Sequence, residues 1–111
     1  MNYFYGSEAE RFVFYRIPKG LITEKRFECL KCEAKLLYGL MLDRMALSIK
    51  NNWLDGQNRA FIYYTIESIT EDLHCGHGKA GKLLAELEAY GLLQRKRQGQ
   101  GRPDRLYVLK F

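Results

Sequence analysis

The stretch from Thr65 to Phe111 restricts the fold more than any other part of the chain. "TIESITEDL" (65–73) opens on Thr65, a residue type whose hydroxyl caps helix starts, and puts Glu67 in the first turn, where helix polarity favours an anion. Ile66, Ile69 and Leu73 fall on one helical face. "HCGHG" (74–78) interrupts the pattern, with Gly76 suited to the left-handed position that ends a helix. "KAGKLLAELEAYG" resumes it with Ala80, Leu83, Leu84 and Leu87, then Gly91 or Leu92 one turn on. Two short amphipathic helices about a glycine-bearing turn form a helix-turn-helix pattern. "GLLQRKRQ" (91–98) and "DRLYVLKF" (104–111) flank a turn containing Gly99, Gly101 and Pro103, and Leu106, Val108 and Lys110 alternate with Tyr107, Leu109 and Phe111. That combination predicts a β-hairpin.

Upstream, "RFVFYRI" (11–17) reads as a strand stopped by Pro18 and Gly20, and "TEKRFECL" (23–30) as one short helical turn. The strongest helix is "CEAKLLYGLMLDRMALSIKN" (32–51), with Ala34, Leu37, Met41, Met45 and Ser48 on one face and Tyr38, Leu42 and Ile49 beside it. "NNWLDGQNRA" (51–60) is a turn marked by Asp55-Gly56, and "AFIYY" (60–64) a short strand. Trp53 is expected to plug the edge of the core. Arg44 is expected to pair with Asp43 or another acid, or to reach a phosphate. The order of elements is that of an α+β winged helix-turn-helix with an N-terminal strand and arm and a C-terminal hairpin wing. One domain is expected over 1–111, with an aromatic arm at 1–11, the helix-turn-helix at 65–90 and the wing at 91–111. Tyr3, Phe4 and Tyr5 are too apolar for a solvated tail and are expected to dock on this domain or on a partner chain.

Charge points to a partner. Residues 91–111 carry six Lys and Arg against Asp104, while the first 90 residues carry twelve charges of each sign, so the whole excess of +5 sits on the hairpin. Concentrated cations suit a polyanion. A solvated basic edge strand, kept cationic against edge-to-edge pairing, is the plainer alternative. On a winged helix the second helix of the pair enters the DNA major groove and the wing lies along backbone or minor groove. His77, Gly78, Lys79, Lys82 and Glu86 then fall on the exposed face or leading end of that helix. Arg95, Lys96, Arg97, Gln98, Gln100, Arg102 and Arg105 fall on the wing. Glu86 and Glu88 lie further along the helix and are expected to face away from backbone phosphates.

Other chemistries find little support. Cys29 and Cys32 have C-x-x-C spacing, and Cys75 with His77 would complete four zinc ligands, but the second spacing is unusual for a structural site. Free thiols in a reducing compartment are the simpler reading. The eight tyrosines have no metal-binding His cluster beside them, as a tyrosine-nucleophile initiator would need, and the chain has neither a phosphate loop nor a nucleophile elbow. No enzyme activity, metal or cofactor is expected. No apolar run approaches the roughly 20 residues that a membrane helix needs. "MNYFYGSEAERF" lacks the features of an export signal, so a cytoplasmic location without membrane contact is expected.

"FYRIPKGLIT", "AKLLYGLMLDRMALSIKNNW", "FIYYTIESITEDL" and "CGHGKAGKLLAELEAYGLLQRKRQGQGRPDRLYV" together resemble the N-terminal domain of the plasmid replication initiator protein A family, over residues 12–111. The resemblance implies a DNA-binding domain of plasmids or mobile elements in Gram-positive bacteria. It implies dimeric binding to double-stranded repeats at an origin and recruitment of host replication proteins through a C-terminal region absent from this chain. It places the recognition helix at 77–90, the wing at 94–105, and Tyr3, Phe4, Tyr5, Phe12 and Phe14 at a dimer surface. Gly78 and Gly81 depart from the pattern expected of that helix, where polar helix formers belong. Their role is either close approach of backbone to phosphate, or tight helix packing and a frayed start. A transcriptional regulator on the same fold, and a replication-related protein-interaction module, are the alternative functions.

Overall fold

The computed structural model describes every residue of the chain except Ile49, so the expectation that Ile49 borders the long helix lies outside the described residues. Among the described residues, four α-helices and a hairpin follow in the order α1 (Gly20–Thr23), α2 (Cys32–Met45), α3 (Ile66–Leu73), α4 (His77–Ala89), β1 (Leu93–Lys96) and β2 (Arg105–Val108). Short 3-10 turns cover Glu8–Arg11 and Lys25–Phe27.

The core forms where α2 and α3 pack on α4. Leu37 and Met41 of α2, Ile69 of α3, and Leu83 and Leu87 of α4 are all buried there. Each such side chain contributes about 1.5–3 kcal/mol of burial. These are the residues that the 3.6 periodicity singles out. The helix 32–51 is shorter than expected: it ends at Met45, and Ser48 is buried in the turn beyond, where its hydroxyl donates to the Phe61 carbonyl at 2.9 Å. That tertiary hydrogen bond offers the chain an alternative to another helical turn.

The hairpin is antiparallel, with Leu93 opposite Val108 and Arg95 opposite Leu106. Ile62 joins its other edge by one bridge, exchanging hydrogen bonds of 2.9 and 3.0 Å with Leu106. The strand expected at 60–64 is therefore a pair of single bridges, Ile62 to Leu106 and Ala60 to Leu54. The latter closes the Asp55-Gly56 turn. Asp55 organises that turn by accepting from the backbone N–H groups of Gln57 and Arg59, the Arg59 side chain and the Tyr107 hydroxyl. Trp53 is half-buried against the core, edge-on to Tyr63 at 5.5 Å between ring centres.

The strand expected at 11–17 does not form. Residues 13–18 are irregular, and Phe12, Val13, Phe14 and Tyr15 are exposed. β-prone side chains need a neighbouring strand to satisfy their backbone, and none lies beside this segment among the described residues. Its end instead crosses α2 at Gly39, where an added Cβ would stand 2.9 Å from the Arg16 carbonyl oxygen and closer still to Ile17 Cδ1. Tyr3, Phe4 and Tyr5 are exposed too, so the arm does not dock on the core of its own domain. Among the described residues no helix is long and apolar enough to cross a membrane.

Candidate nucleic-acid interface

The helix-turn-helix is built from local chemistry. Thr65 caps α3 by accepting from the Ser68 N–H at 3.1 Å. The left-handed residue ending α3 is His74, with φ of 54°, rather than Gly76. Gly76 is the N-cap of α4 and supplies no side-chain acceptor, so the first N–H groups of α4 have no cap. Gly76 has an ordinary extended φ of −80° there. Ala80, Leu83, Leu84 and Leu87 turn inward, which leaves His77, Gly78, Lys79, Lys82, Ala85 and Ala89 on the exposed face.

Gly78 and Gly81 are not required by packing within the chain. A Cβ at Gly78 would meet nothing within 4 Å, and one at Gly81 would meet only Ile66 Cδ1 at 3.9 Å. The tight-packing reading of these glycines is therefore set aside.

The wing loop is shaped by Gly99 and Gly101, whose φ values of 105° and 78° lie where side chains rarely go. Gln98 holds it down. Its amide donates to the Tyr63 hydroxyl at 3.2 Å and to the Pro103 carbonyl at 2.9 Å. Lys96, Arg97, Gln100 and Arg102 are exposed around it.

The expected site residues thus divide into two groups. Lys82, Lys96, Arg97 and Arg102 are exposed and have no carboxylate within 4 Å among the described residues. Lys79 lies 2.6 Å from Glu33 at the start of α2, and the pair raises the lysine pKa while lowering that of Glu33. His77 stands 3.9 Å from Glu67. Arg95 donates through Nε and Nη2 to Glu88. Arg105 lies over the Phe61 ring at 4.5 Å with its Nε buried and lacking a hydrogen-bond partner, so it braces the root of the wing.

The expectations for Glu86 on the exposed face and for Arg44 are corrected. Glu86 is half-buried and accepts the Lys31 N–H at 2.8 Å, so it faces the start of α2 rather than the exposed face of α4. Glu88, for its part, accepts from Arg95 of the wing. Arg44 donates to the Tyr63 carbonyl at 3.1 Å and stacks over Tyr64 at 4.2 Å, pairing with no acid among the described residues. Glu33 and Glu88 escape a sequence reading because their partners lie elsewhere in the fold, with no local spacing to announce them. Cys29, Cys32 and Cys75 are free thiols. Among the described residues no group of three or more His, Cys, Asp and Glu is arranged to hold a metal ion.

A helix-turn-helix followed by a cation-bearing hairpin is a winged helix. Residues 13–111 match the model described as "Replication initiator protein A (RepA) N-terminus", and the chain belongs to that family. It is 34% identical over 104 residues to a "41 kDa protein" of Lactobacillus helveticus, a match covering 88% of this chain and 30% of that one. The chain therefore spans less than a third of the length of this curated relative. Among solved structures it is similar to "Structure of Rep-DNA complex", with a TM-score of 0.82 and 37% identity over 98% of this chain and 84% of that one. It is also similar to "N-Terminal domain of DNA binding protein", with a TM-score of 0.82 and 36% identity over 99% of this chain and 84% of that one. "Structure of MDR initiator" is similar too, with a TM-score of 0.79 and 36% identity over 98% of this chain and 86% of that one.

Proposed function

We propose that this domain binds double-stranded DNA in a sequence-specific manner, at repeated sites of a plasmid or mobile-element origin, as the DNA-reading part of a replication initiator. The observation that carries the reading is the set of uncompensated cations Lys82, Lys96, Arg97 and Arg102, borne by the exposed helix of a winged helix-turn-helix and by its wing. In this reading α4 enters the major groove with His77, Gly78, Lys79 and Lys82 leading. The wing follows the backbone or minor groove through Arg95, Lys96, Arg97, Gln98, Gln100, Arg102 and Arg105, with Arg95, Gln98 and Arg105 acting chiefly as supports. Likeness at 37% identity to a Rep protein solved with DNA supports it. The domain acts by binding, without catalysis, in the cytoplasm, and host replication proteins are met through a region beyond this domain.

The exposed aromatics Tyr3, Phe4, Tyr5, Phe12 and Phe14 support a homodimer through the arm, because so much uncovered apolar surface suits a second copy. Sedimentation equilibrium checks this: a dimer is expected at micromolar concentration, and a monomer would count against it.

The decisive experiment is a fluorescence-anisotropy titration. It compares a duplex that the protein has selected from a randomised pool with a scrambled duplex, across several salt concentrations. A preference of about 10³ or more is expected of specific recognition. Equal binding to both, falling steeply with salt, would reduce the domain to a cationic surface.

A further inference from the structure

The cations of the interface are not equally available to phosphate. Arg95 sits opposite Leu106 in the hairpin, so its side chain shares the face of the wing that turns toward α4. There it lines a cleft of about 140 Å³ with Leu84, Pro103 and Leu106. Its Nε and Nη2 both donate to one oxygen of Glu88, at 2.8 and 2.5 Å. The two side chains are 32% and 34% exposed, so the pair is partly sheltered from solvent and salt. Lys82, Lys96, Arg97 and Arg102 carry no such burden among the described residues.

A phosphate approaching Arg95 either displaces Glu88 from the Nε–Nη2 edge or takes the Nη1 side, and in both cases it lies beside that carboxylate. Like charges at that range repel, and the Nε–Nη2 edge of the guanidinium is already taken. We infer that Glu88 is a specificity-determining residue that withholds Arg95 from the DNA backbone while pinning the root of the wing to the recognition helix. Arbitrary DNA, held by phosphate contacts alone, then meets one cation fewer in each protomer. A cognate duplex, held in one register by base edges read by α4, is not free to shift a phosphate onto Arg95 and so loses less. Glu88 acts through Arg95 and is a positioning residue.

The inference rests on the proposed DNA binding. Its test compares wild type, Glu88→Gln, Arg95→Gln and the double variant on the selected and scrambled duplexes, from 50 to 200 mM salt. Glu88→Gln is isosteric, Arg95→Gln shortens and neutralises its side chain, and thermal unfolding verifies that all three variants fold. Glu88→Gln is expected to steepen the salt dependence of scrambled-duplex binding by about 0.9 per protomer in log–log slope. One more counterion-releasing contact corresponds to roughly 8-fold tighter scrambled binding at 0.1 M salt, measured against 1 M. The selected duplex gains less, so discrimination falls. In the Arg95→Gln background the same substitution leaves the scrambled slope unchanged, because no cation is released. An equal steepening in that background would mark general charge removal and overturn the inference. So would unchanged scrambled binding by Glu88→Gln, or an equal gain on both duplexes. If wild type enriches no sequence from the pool, the DNA-specificity reading itself fails, and that failure is visible before any variant is made.

Discussion

Replacing Gly81 with alanine sets the demands of this chain against those of its partner. Gly81 is the fifth residue of α4, past its first turn, with Leu83 and Leu84 buried just beyond it. Glycine in a helix interior costs about 1 kcal/mol relative to alanine, because it must give up more backbone freedom to fold. The new methyl would lie 3.9 Å from Ile66 Cδ1, an ordinary contact, and touch nothing else within 4 Å. No strain opposes the propensity gain, so Gly81→Ala should stabilise the free domain by about 1 kcal/mol. For a domain of this size that raises Tm by about 4 °C. Thermal unfolding followed by far-UV circular dichroism, without DNA, measures it. If the glycine is kept so that DNA can approach the helix backbone, the same variant binds the selected duplex less tightly while melting higher. A lowered Tm would refute the packing argument. A raised Tm with unchanged affinity would refute the argument from close approach.

Gly39→Ala should behave in the opposite way, because its methyl would collide with Ile17 and the Arg16 carbonyl where that segment crosses α2. A loss of about 1–3 kcal/mol in denaturant unfolding is expected of such overpacking. Removing two uncompensated cations with Arg97→Ala and Arg102→Ala should lower the log–log salt slope by about 1.8 per protomer on any duplex, and an unchanged slope in anisotropy titrations would move the interface off the wing. Desolvation alone would raise the Asp55 pKa, but hydrogen bonds from the Arg59 backbone and side chain, the Gln57 N–H and the Tyr107 hydroxyl outweigh it and hold the carboxyl well below the usual range. A depressed folded pKa contributes stability above the unfolded value of about 3.9, and that stability is lost as pH falls below it. Asp55→Asn should therefore lower Tm at neutral pH, with the gap to wild type closing as pH drops below about 4, and a gap that stays constant across a pH series of melts would contradict the assignment.

The helix-turn-helix and the hairpin were legible because their signals are local. Thr65 caps within its own turn, the apolar residues of α4 recur within one helix, and Gly99 and Gly101 mark a loop that their φ values require. What sequence missed depends on distant residues. "RFVFYRI" has strand-forming side chains, but a strand exists only if another lies beside it. Arg95, Lys96 and Arg97 look alike in a string of cations, yet Arg95 is occupied by a carboxylate seven residues back, across the turn from helix to strand. Lys79 is matched by Glu33 across forty-six positions. Composition placed the charge on the wing correctly. It did not tell which of those charges were already spoken for.

The hydrogen bond from the Lys31 N–H to Glu86 has a consequence for how this domain can diverge. The donor is backbone, so position 31 can hold any residue except proline, which has no N–H to give. The acceptor is a side chain, so position 86 has no such freedom. Substitutions just before α2 should accumulate with little effect on α4, while Glu86 stays an acceptor. A search for compensating side-chain pairs would find no trace of this link between the two helices.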